Sequence, residues 1–233
     1  MAEPRRAAGW DVRTSEMACY ALPMGDYIPQ AIEKRYEVHN FRHAAEVLAT
    51  GCSAEFEELM EALAGFRLTT ADILAPGGNE SQIPKRVAAL LRPKRWFETR
   101  IHGDLTVTVN TFTDAGTVQN ETKLENFLDG HKIDFVKGSV AFDLEWNSKD
   151  QTFDRDLYAF RTFHEAGVIS AAVLLTRSEA LNGIFKKLGV MNKYGASTTW
   201  MGKLLYRIKA GRGGGCPVLV LGITPALIED WHP

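Results

Sequence analysis

The chain has 233 residues, of which 45% are hydrophobic, and its formal net charge at pH 7 is −2. A chain of this length and composition can bury a full core as one domain, and its charge argues against a strongly basic general binder of nucleic acid. No apolar run approaches the length of a membrane-spanning helix, and the first residues lack the apolar region of a signal peptide. We therefore expect a soluble, cytoplasmic protein without membrane contacts.

Apolar residues recur at helical spacing in the amino-terminal part of the chain and again in its second half. We predict helices at residues 41–48, 53–64, 84–91, 154–166, 179–188 and 198–210. Ser53 is a candidate cap for the second of these helices, and Gly167 would close the fourth. Residues 69–82 are rich in turn-forming residues and predict a mobile loop.

Short runs of β-branched and other apolar residues predict the strands. They lie at residues 132–136, 140–147, 168–175 and 217–223, with an extra hairpin that has a strand at 105–109 and a turn at 114–116. This order of elements is typical of an α/β fold with a mixed central β-sheet flanked by helices. We expect a single domain over residues 1–233, with a mainly helical part at about 1–92 and a second part, which contains the predicted strands, at about 93–225.

Three acidic residues fall where two of the predicted strands converge. Side chains alternate along residues 140–147, with one face made of Phe142, Leu144 and Trp146 and the other of Asp143, Glu145 and Asn147. A turn at residues 137–139 would return Asp134 beside Asp143 and Glu145. Clustered carboxylates supply the oxygen ligands that hard divalent cations prefer, and they repel one another without a cation. The alternative interpretation is an acidic strand face that is open to solvent.

The segment from Ile133 to Trp146 resembles the catalytic core of the BglII/BamHI group of type II restriction endonucleases, which have a divergent PD-(D/E)xK site. The resemblance is carried by Ile-Asp-Phe around Asp134 and by Asp-Leu-Glu-Trp from Asp143. It implies a restriction-endonuclease-like fold in which these two residues match the first aspartate and the acid of the (D/E)xK pair. Glu145 then occupies the position that holds lysine in most of the superfamily, glutamate in the BamHI-like variant and glutamine in the BglII-like variant, so it agrees with the BamHI-like variant. The catalytic core and the DNA-recognition elements would lie at about residues 93–225. Asp143 is shorter than the glutamate usual in this group.

Two features of this site have alternatives. In a second register, Glu145 and Asn147 would form the acidic pair, at a longer spacing from Asp134. Lys149 and Lys132 are close in sequence and are candidate substitutes for the missing lysine.

Glu98 is a candidate fourth member of the catalytic set. It follows Arg92-Pro-Lys-Arg-Trp96, which is similar to a Pro-Lys-x-Trp stretch ahead of the catalytic strands in the relatives. An acidic or amide residue at this place can reach the metal site in those relatives. Alternatively, Glu98 is a surface partner of Arg95 or Arg100. The resemblance does not explain the extra hairpin.

Basic residues are concentrated in two parts of the chain. Residues 181–228 contain no Asp or Glu, and the basic residues there are Lys186, Lys187, Lys193, Lys203, Arg207, Lys209 and Arg212. The second group comprises Lys85, Arg86, Arg92, Lys94, Arg95 and Arg100. One-sided charge of this kind is typical of contact with phosphate, although a solvated helix face also accounts for individual residues. Lys193, Lys209 and Arg212 are our candidates for DNA contact.

Three hydroxyl residues, Ser197, Thr198 and Thr199, lie at the start of a predicted helix. In the BglII group the corresponding loop enters the major groove. The resemblance therefore implies that these three residues read base edges, with Asn192 and Lys193 close enough to join them. Alternatively, Ser197 or Thr198 only caps the helix.

The resemblance implies Mg²⁺-dependent, sequence-specific hydrolysis of phosphodiester bonds in double-stranded DNA at a palindrome, leaving 5′-phosphate ends. Asp134, Asp143 and Glu145 would hold one or two Mg²⁺ ions and, with Glu98, form the catalytic set. Cleavage of both strands requires two sites related by a two-fold axis, so we expect a symmetric homodimer. A cognate DNA methyltransferase is expected as a separate protein. The alternatives are a nonspecific or structure-selective DNA repair nuclease and a noncatalytic DNA-binding protein with this fold.

Overall fold

The computed structural model describes residues 27–76, 81–128 and 132–231. The strands are β1 (Tyr36–Phe41), β2 (Phe97–Arg100), β3 (Gly103–Thr113), β4 (Gly116–Leu128), β5 (Lys132–Lys137), β6 (Val140–Glu145), β7 (Ala171–Arg177) and β8 (Val218–Ile223). The helices are α1 (Gln30–Glu33), α2 (Ala44–Gly51), α3 (Ser53–Gly65), α4 (Thr70–Leu74), α5 (Gln82–Leu91), α6 (Thr152–Glu165), α7 (Asn182–Lys187) and α8 (Met201–Lys209). Short 3-10 turns lie at Arg92–Lys94, Glu179–Leu181 and Pro225–Leu227. Within the described ranges, no helix is long and apolar enough to cross a membrane.

Six of the strands form one sheet in the order β1-β8-β7-β6-β5-β2. Strands β6, β7 and β8 are parallel neighbours, whereas β1, β5 and β2 pair with their neighbours in the antiparallel direction. Parallel strands require crossover connections, and α6 supplies the one between β6 and β7. The sheet is therefore mixed, as the sequence predicts.

Helices cover both faces of this sheet. On one face, Phe142, Leu144 and Trp146 of β6 belong to a core with the side chains of α2, α3, α5 and α7. On the other face, Ala141 belongs to a second core, to which α6 and α8 contribute. Because the central strands are covered on both sides, all six residues of β6 are buried, as are all residues of β7 and β8. The predicted α/β fold with flanking helices is confirmed.

The structure corrects two predicted element positions. The predicted helix at residues 41–48 overlaps an edge strand, since Phe41 ends β1 and α2 begins only at Ala44. Arg42 and His43 lie between them with φ angles of 54° and 59°, so the chain turns sharply before the helix begins. The strand predicted at residues 168–175 lies further along, at β7, because its pairing with β6 begins at Ala171.

Two predictions about helix ends and one about a loop have different outcomes. Gly167 follows α6 with a φ of 72°, so the predicted glycine end of this helix is confirmed. The predicted cap at Ser53 is wrong, because the capping position of α3 is Cys52 and no side-chain bond caps it. Part of the predicted loop at residues 69–82 is helical, in α4, and its residues 77–80 lie outside the described residues.

The extra hairpin is confirmed and is longer than predicted. Strands β3 and β4 pair with each other from Gly103 and Leu128 to Thr113 and Gly116, and they form a sheet of their own. Nearly all of their residues are exposed, including Val109 and Phe112. The hairpin therefore projects from the fold between β2 and β5 without adding to either core.

Candidate active site

A tight turn brings the first two predicted acids together. Strands β5 and β6 are antiparallel and joined by Gly138 and Ser139, and Gly138 has a φ of 52°. Two-residue hairpin turns need such positive φ values, which glycine adopts without strain. The backbone N–H of Asp134 donates a hydrogen bond of 2.8 Å to Oδ1 of Asp143. The predicted return of Asp134 beside Asp143 is thus present.

The acids on β6 do not face open solvent. Asp143 is 4% exposed and Glu145 is 7% exposed, on the sheet face that α6 covers. The alternation of the two faces was predicted correctly, but the second face is a buried layer and not a solvated one. The interpretation of this strand as a solvent-facing acidic face is therefore wrong.

Each buried carboxylate has an oxygen without a partner among the described residues. These atoms are Asp143 Oδ2 and Glu145 Oε2. Burial, with the nearby charges of Asp156 and Asp134, raises the pKa of Asp143 well above its usual range. Burial and the charge of Glu145 also raise the pKa of Asp134. Such a cluster is costly to ionise unless a positive charge enters it.

A fourth acid of the cluster, the buried Asp156 of α6, was missed from the sequence. It is 2% exposed, and its Oδ2 also lacks a partner among the described residues. Burial and the charge of Glu145 raise its pKa to about 8. The signal was present in the helical periodicity, because Asp156 lies on the same stripe as Phe153 and Phe160, which are fully buried.

Arg155 is the cation beside these acids, and sequence reasoning missed it as well. Its Nε and Nη2 donate to Oδ1 of Asp156 at 3.3 and 3.1 Å, and Nη2 lies 3.6 Å from Oε1 of Glu145. Burial opposes the charge of the guanidinium, but the charges of Asp156, Glu145 and Asp143 together raise the pKa of Arg155. The arginine is therefore held at the edge of the acidic cluster.

Two of the acids, Asp134 and Glu145, line a cavity of about 490 Å³ at the carboxyl end of β6. It is lined by Ser81, Pro84, Asp134, Leu144, Glu145, Trp146, Asn147, Ser148, Thr152 and Arg155. Asn147, the alternative acid-pair partner, also lies here, but its side-chain N–H donates to the carbonyl oxygen of Lys193. The amide N–H₂ group of Asn147 is thus bound to the loop before α8, whereas its Oδ1 has no partner among the described residues.

Glu98 lies on the other side of Asp134. The two residues line a second cavity of about 220 Å³, together with Arg92 and Lys85. Glu98 Oε1 accepts a hydrogen bond of 2.6 Å from Nζ of Lys132, so its nearest cation is Lys132 and not Arg95 or Arg100. Glu98 thus shares a cavity with Asp134, and its carboxylate is paired with Lys132.

The donor set fits a hard divalent cation. Within the described residues, no three His, Cys, Asp or Glu side chains already converge into a closed metal cage. Mg²⁺ does not require one, since it usually binds one or two carboxylates and takes its other oxygens from water and substrate phosphate. Asp143 and Glu145 each keep an oxygen free of hydrogen bonds, and Asp134 lies beside them at the cavity.

The hydroxyl segment, residues 197–199, is hydrogen-bonded to the loop that follows β6. The backbone N–H of Thr199 donates to the carbonyl oxygen of Ser148, and that of Asp150 donates to the carbonyl oxygen of Ser197, at 2.9 and 3.0 Å. Helix α8 begins only at Met201, with Trp200 at its capping position. The interpretation of Ser197 or Thr198 as a helix cap is therefore wrong.

The three hydroxyl side chains have different surroundings. Ser197 is exposed, Thr198 is half-buried and Thr199 is fully buried. The hydroxyl of Thr198 accepts a bond of 2.6 Å from Arg177 and donates to the carbonyl oxygen of Gly195. Of the three, Ser197 is the one that solvent or a ligand reaches directly.

Several basic residues of the acid-free stretch are paired with acids from elsewhere in the chain. Arg207 and Arg212 both bind Asp154, and Arg207 and Lys203 bind Asp150. These acids lie at or just before the start of α6, which packs against α8. The absence of acids between residues 181 and 228 therefore does not leave all of its basic residues free for phosphate.

Of the remaining candidates for DNA contact, two are exposed and one is bound within the protein. Asn192 and Lys209 are exposed. Lys193 is half-buried, and its Nζ donates to the carbonyl oxygens of Ile73 and Ala75. Burial lowers the pKa of Lys193.

Comparison with known sequences assigns the chain to a protein family. No curated protein matches the chain significantly. The family model described as restriction endonuclease BglII/BglIII matches residues 36–223, which include both strands of the acidic cluster, Arg155 and the hydroxyl segment. Since the match extends from β1 to β8, it covers the entire six-stranded sheet. The chain belongs to the BglII/BglIII family of restriction endonucleases, which are DNA-hydrolysing enzymes.

Proposed function

We propose that this chain is a type II enzyme that cuts both strands of DNA at a palindrome in a Mg²⁺-dependent reaction, leaving 5′-phosphate and 3′-hydroxyl ends. Family membership supports DNA hydrolysis in general. The observation that carries the finer proposal is the pair of buried carboxylates, Asp143 and Glu145, each with an unpartnered oxygen. Because such groups destabilise a fold, their presence beside a cavity favours a functional role.

Each acid has its own role in this proposal. Asp134 and Asp143 would hold the Mg²⁺, and Glu145 would be a further ligand if two ions bind. When bound, the cation stabilises negative charge at the scissile phosphate and lowers the pKa of a bound water. Glu145 lines the cavity and would orient the attacking water. Glu98 would approach from the far side of Asp134.

The hydroxyl segment is our proposed reader of base edges. Ser197 and Asn192 are exposed and can exchange hydrogen bonds with bases without breaking any side-chain bond described above. Thr198 and Thr199 complete this proposed surface and would need a local rearrangement to reach the groove. The two backbone bonds to Ser148 and Asp150 would transmit base contact to β6.

The proposed phosphate contacts are Lys209, Lys193 and Arg212. Lys209 is exposed on α8. Lys193 would have to leave two carbonyl oxygens, and Arg212 would have to leave Asp154, before either could bind phosphate. On this ground Lys209 is the first of the three to test.

A palindromic target implies two copies of the chain related by the two-fold axis of the DNA. We therefore propose a symmetric homodimer, and a separate methyltransferase that protects the same sequence. Sedimentation with and without DNA tests the first proposal. Resistance of DNA methylated by that enzyme tests the second.

A plasmid digest tests the proposed activity. Wild type, Glu145→Ala and the control Glu165→Ala, at an exposed acid on α6, are incubated with Mg²⁺ or with EDTA. We expect discrete bands with wild type and the control in Mg²⁺ alone, and none with Glu145→Ala. Ligation of the products with and without prior phosphatase treatment identifies the 5′-phosphate.

Other outcomes contradict this function in different ways. A smear of fragments would replace a site-specific enzyme with a nonspecific or structure-selective nuclease. DNA binding without cleavage under any Mg²⁺ condition would indicate a noncatalytic binding protein with this fold.

A further inference from the structure

The carboxylates of the acidic cavity repel DNA, and a cationic side chain in the cavity would oppose this repulsion. Asp134 and Glu145 line it directly. The scissile phosphate is itself an anion, and negative charge on its oxygens is what the site must stabilise as the bond breaks. Of the ten described residues that line this cavity, Arg155 is the only lysine or arginine.

The guanidinium of Arg155 is held in place from one side. Its Nε and Nη2 both donate to Oδ1 of Asp156, a carboxylate that is only 2% exposed. Its Nη1 has no acceptor among the described residues. The side chain of Arg155 is 57% exposed, so it can meet a ligand that enters the cavity.

The contact with Glu145 places this cation next to the proposed reacting groups. Nη2 of Arg155 lies 3.6 Å from Oε1 of Glu145, which is within ion-pair range but beyond hydrogen-bond distance. Arginine has five N–H donors in a planar fork that matches two phosphate oxygens. After the two bonds to Asp156, three N–H groups of Arg155 remain.

We propose that Arg155 is a catalytic residue that donates hydrogen bonds to the non-bridging oxygens of the scissile phosphate, and that Asp156 is its positioning residue. This proposal rests on the proposed function. It assigns to α6 the positive charge that β6 does not carry, because position 145 is a glutamate. Lys132 and Lys149 do not take this role, since neither lines the cavity and Lys132 binds Glu98.

The test compares single-turnover cleavage of a plasmid that the wild type is found to cut. The variants are Arg155→Ala, Arg155→Lys and Asp156→Asn. The control is Arg161→Ala, which removes an arginine of similar exposure on the same helix that pairs with Glu165. Circular dichroism and thermal unfolding of each variant establish that it is folded.

We expect Arg155→Ala to slow cleavage by about 10²- to 10³-fold, as expected for one lost donor to a transition state. Binding of the same DNA in EDTA should change by less than about threefold, because most affinity comes from phosphate contacts elsewhere. Added guanidinium chloride at millimolar concentration should restore part of the rate of Arg155→Ala but none of the rate of Glu145→Ala. Arg155→Lys should recover little, because a lysine is a point charge without the planar fork.

Asp156→Asn should act through Arg155. Its cleavage rate is expected to fall by about tenfold, and combining it with Arg155→Ala should add little to the single loss. An additive loss in the double variant would overturn the positioning role.

The outcomes separate this proposal from the function on which it rests. If the wild type cuts DNA and Arg155→Ala cuts it within threefold of the wild-type rate, only the proposed role of Arg155 is overturned. If folded Arg155→Ala does not cut and guanidinium does not rescue it, while Arg155→Lys is fully active, the proposed bidentate contact of the guanidinium with the phosphate is overturned. Wild type that cuts no DNA under any Mg²⁺ condition would overturn both proposals.

Discussion

The backbone N–H of Asp134 donates to Oδ1 of Asp143 over 2.8 Å, so one oxygen of this buried carboxylate fastens two strands while the other is left without a partner. One oxygen of Asp143 thus has a structural role, and the other has no hydrogen-bond partner among the described residues. Asparagine can keep the first bond and removes the buried charge, because it has an acceptor oxygen and is neutral. This separation makes Asp143 informative for both stability and activity.

We expect Asp143→Asn to abolish cleavage and to stabilise the metal-free protein. Loss of the buried charge, and of its repulsion by Asp156 and Asp134, should contribute about 1 kcal/mol, or about 2–4 °C in Tm for a domain of this size. Thermal unfolding in EDTA and the plasmid digest measure the two effects. Glu165→Gln, at an exposed carboxylate, is the control and should change neither. A lower Tm for Asp143→Asn would contradict our inference that the buried charge of Asp143 destabilises the metal-free protein.

The stability of the metal-free protein should depend on pH in a direction opposite to that of most acid-rich proteins. The folded-state pKa values of Asp134, Asp143 and Asp156 are raised, to about 8 for Asp156. Between the usual carboxyl pKa of about 4 and pH 8, the folded state thus binds more protons than the unfolded state, and stability falls as pH rises. Each such proton contributes a slope of up to about 1.4 kcal/mol per pH unit.

Urea unfolding in EDTA from pH 5 to pH 8 measures this slope. We expect Asp156→Asn to flatten it at the upper end of the range, and saturating Mg²⁺ to reduce it in the wild type. Stability that rises with pH across this range would show that these carboxyls are ionised without cost.

The β3–β4 hairpin should be dispensable for the folding of the sheet. Its strands pair only with each other, and neither core includes its side chains. Replacement of residues 104–127 by a short glycine-serine link should change the Tm by less than about 3 °C, since surface changes usually cost under about 0.5 kcal/mol each. Circular dichroism and thermal unfolding test this. Loss of cooperative unfolding in the shortened chain would contradict it.

Ser197→Ala should alter which sites are cut while leaving the fold intact. The side chain is exposed, and the bond that joins Ser197 to Asp150 uses its backbone carbonyl, which alanine keeps. Loss of one base contact should cost about 1–3 kcal/mol of discrimination, which a comparison of cleavage rates at the preferred site and at single-mismatch sites measures.

Ser170→Ala is the matched control for this change. Ser170 is also exposed, but it precedes β7 at the end of the sheet away from Glu145, since Val140 pairs with Ala171 there. The control should keep the wild-type ranking of sites. An unchanged ranking in Ser197→Ala would remove this residue from the proposed reading surface.

Local patterns were sufficient to predict the acidic strands. The alternation along residues 140–147 and the turn at Gly138 depend on chain neighbours only, because strand periodicity and hairpin turns are set over a few residues. The pairing of Asp134 with Asp143 follows from them. The order of strands and helices from residue 132 onward was predictable for the same reason.

The surroundings of these residues were decided by the tertiary structure. Helix α6 covers the acidic face of β6, so Asp143 and Glu145 are buried, and it brings Asp156 and Arg155 to them from ten or more residues away. The same packing pairs Arg207 and Arg212 with Asp154. The sequence alone thus determined that Asp134 and Asp143 converge, because a turn and a two-residue period are local. Only the packing of a distant helix decided the burial of Asp143 and Glu145, the raised pKa of Asp143 and the cation beside them, because desolvation and ion pairing depend on every element that closes over a site.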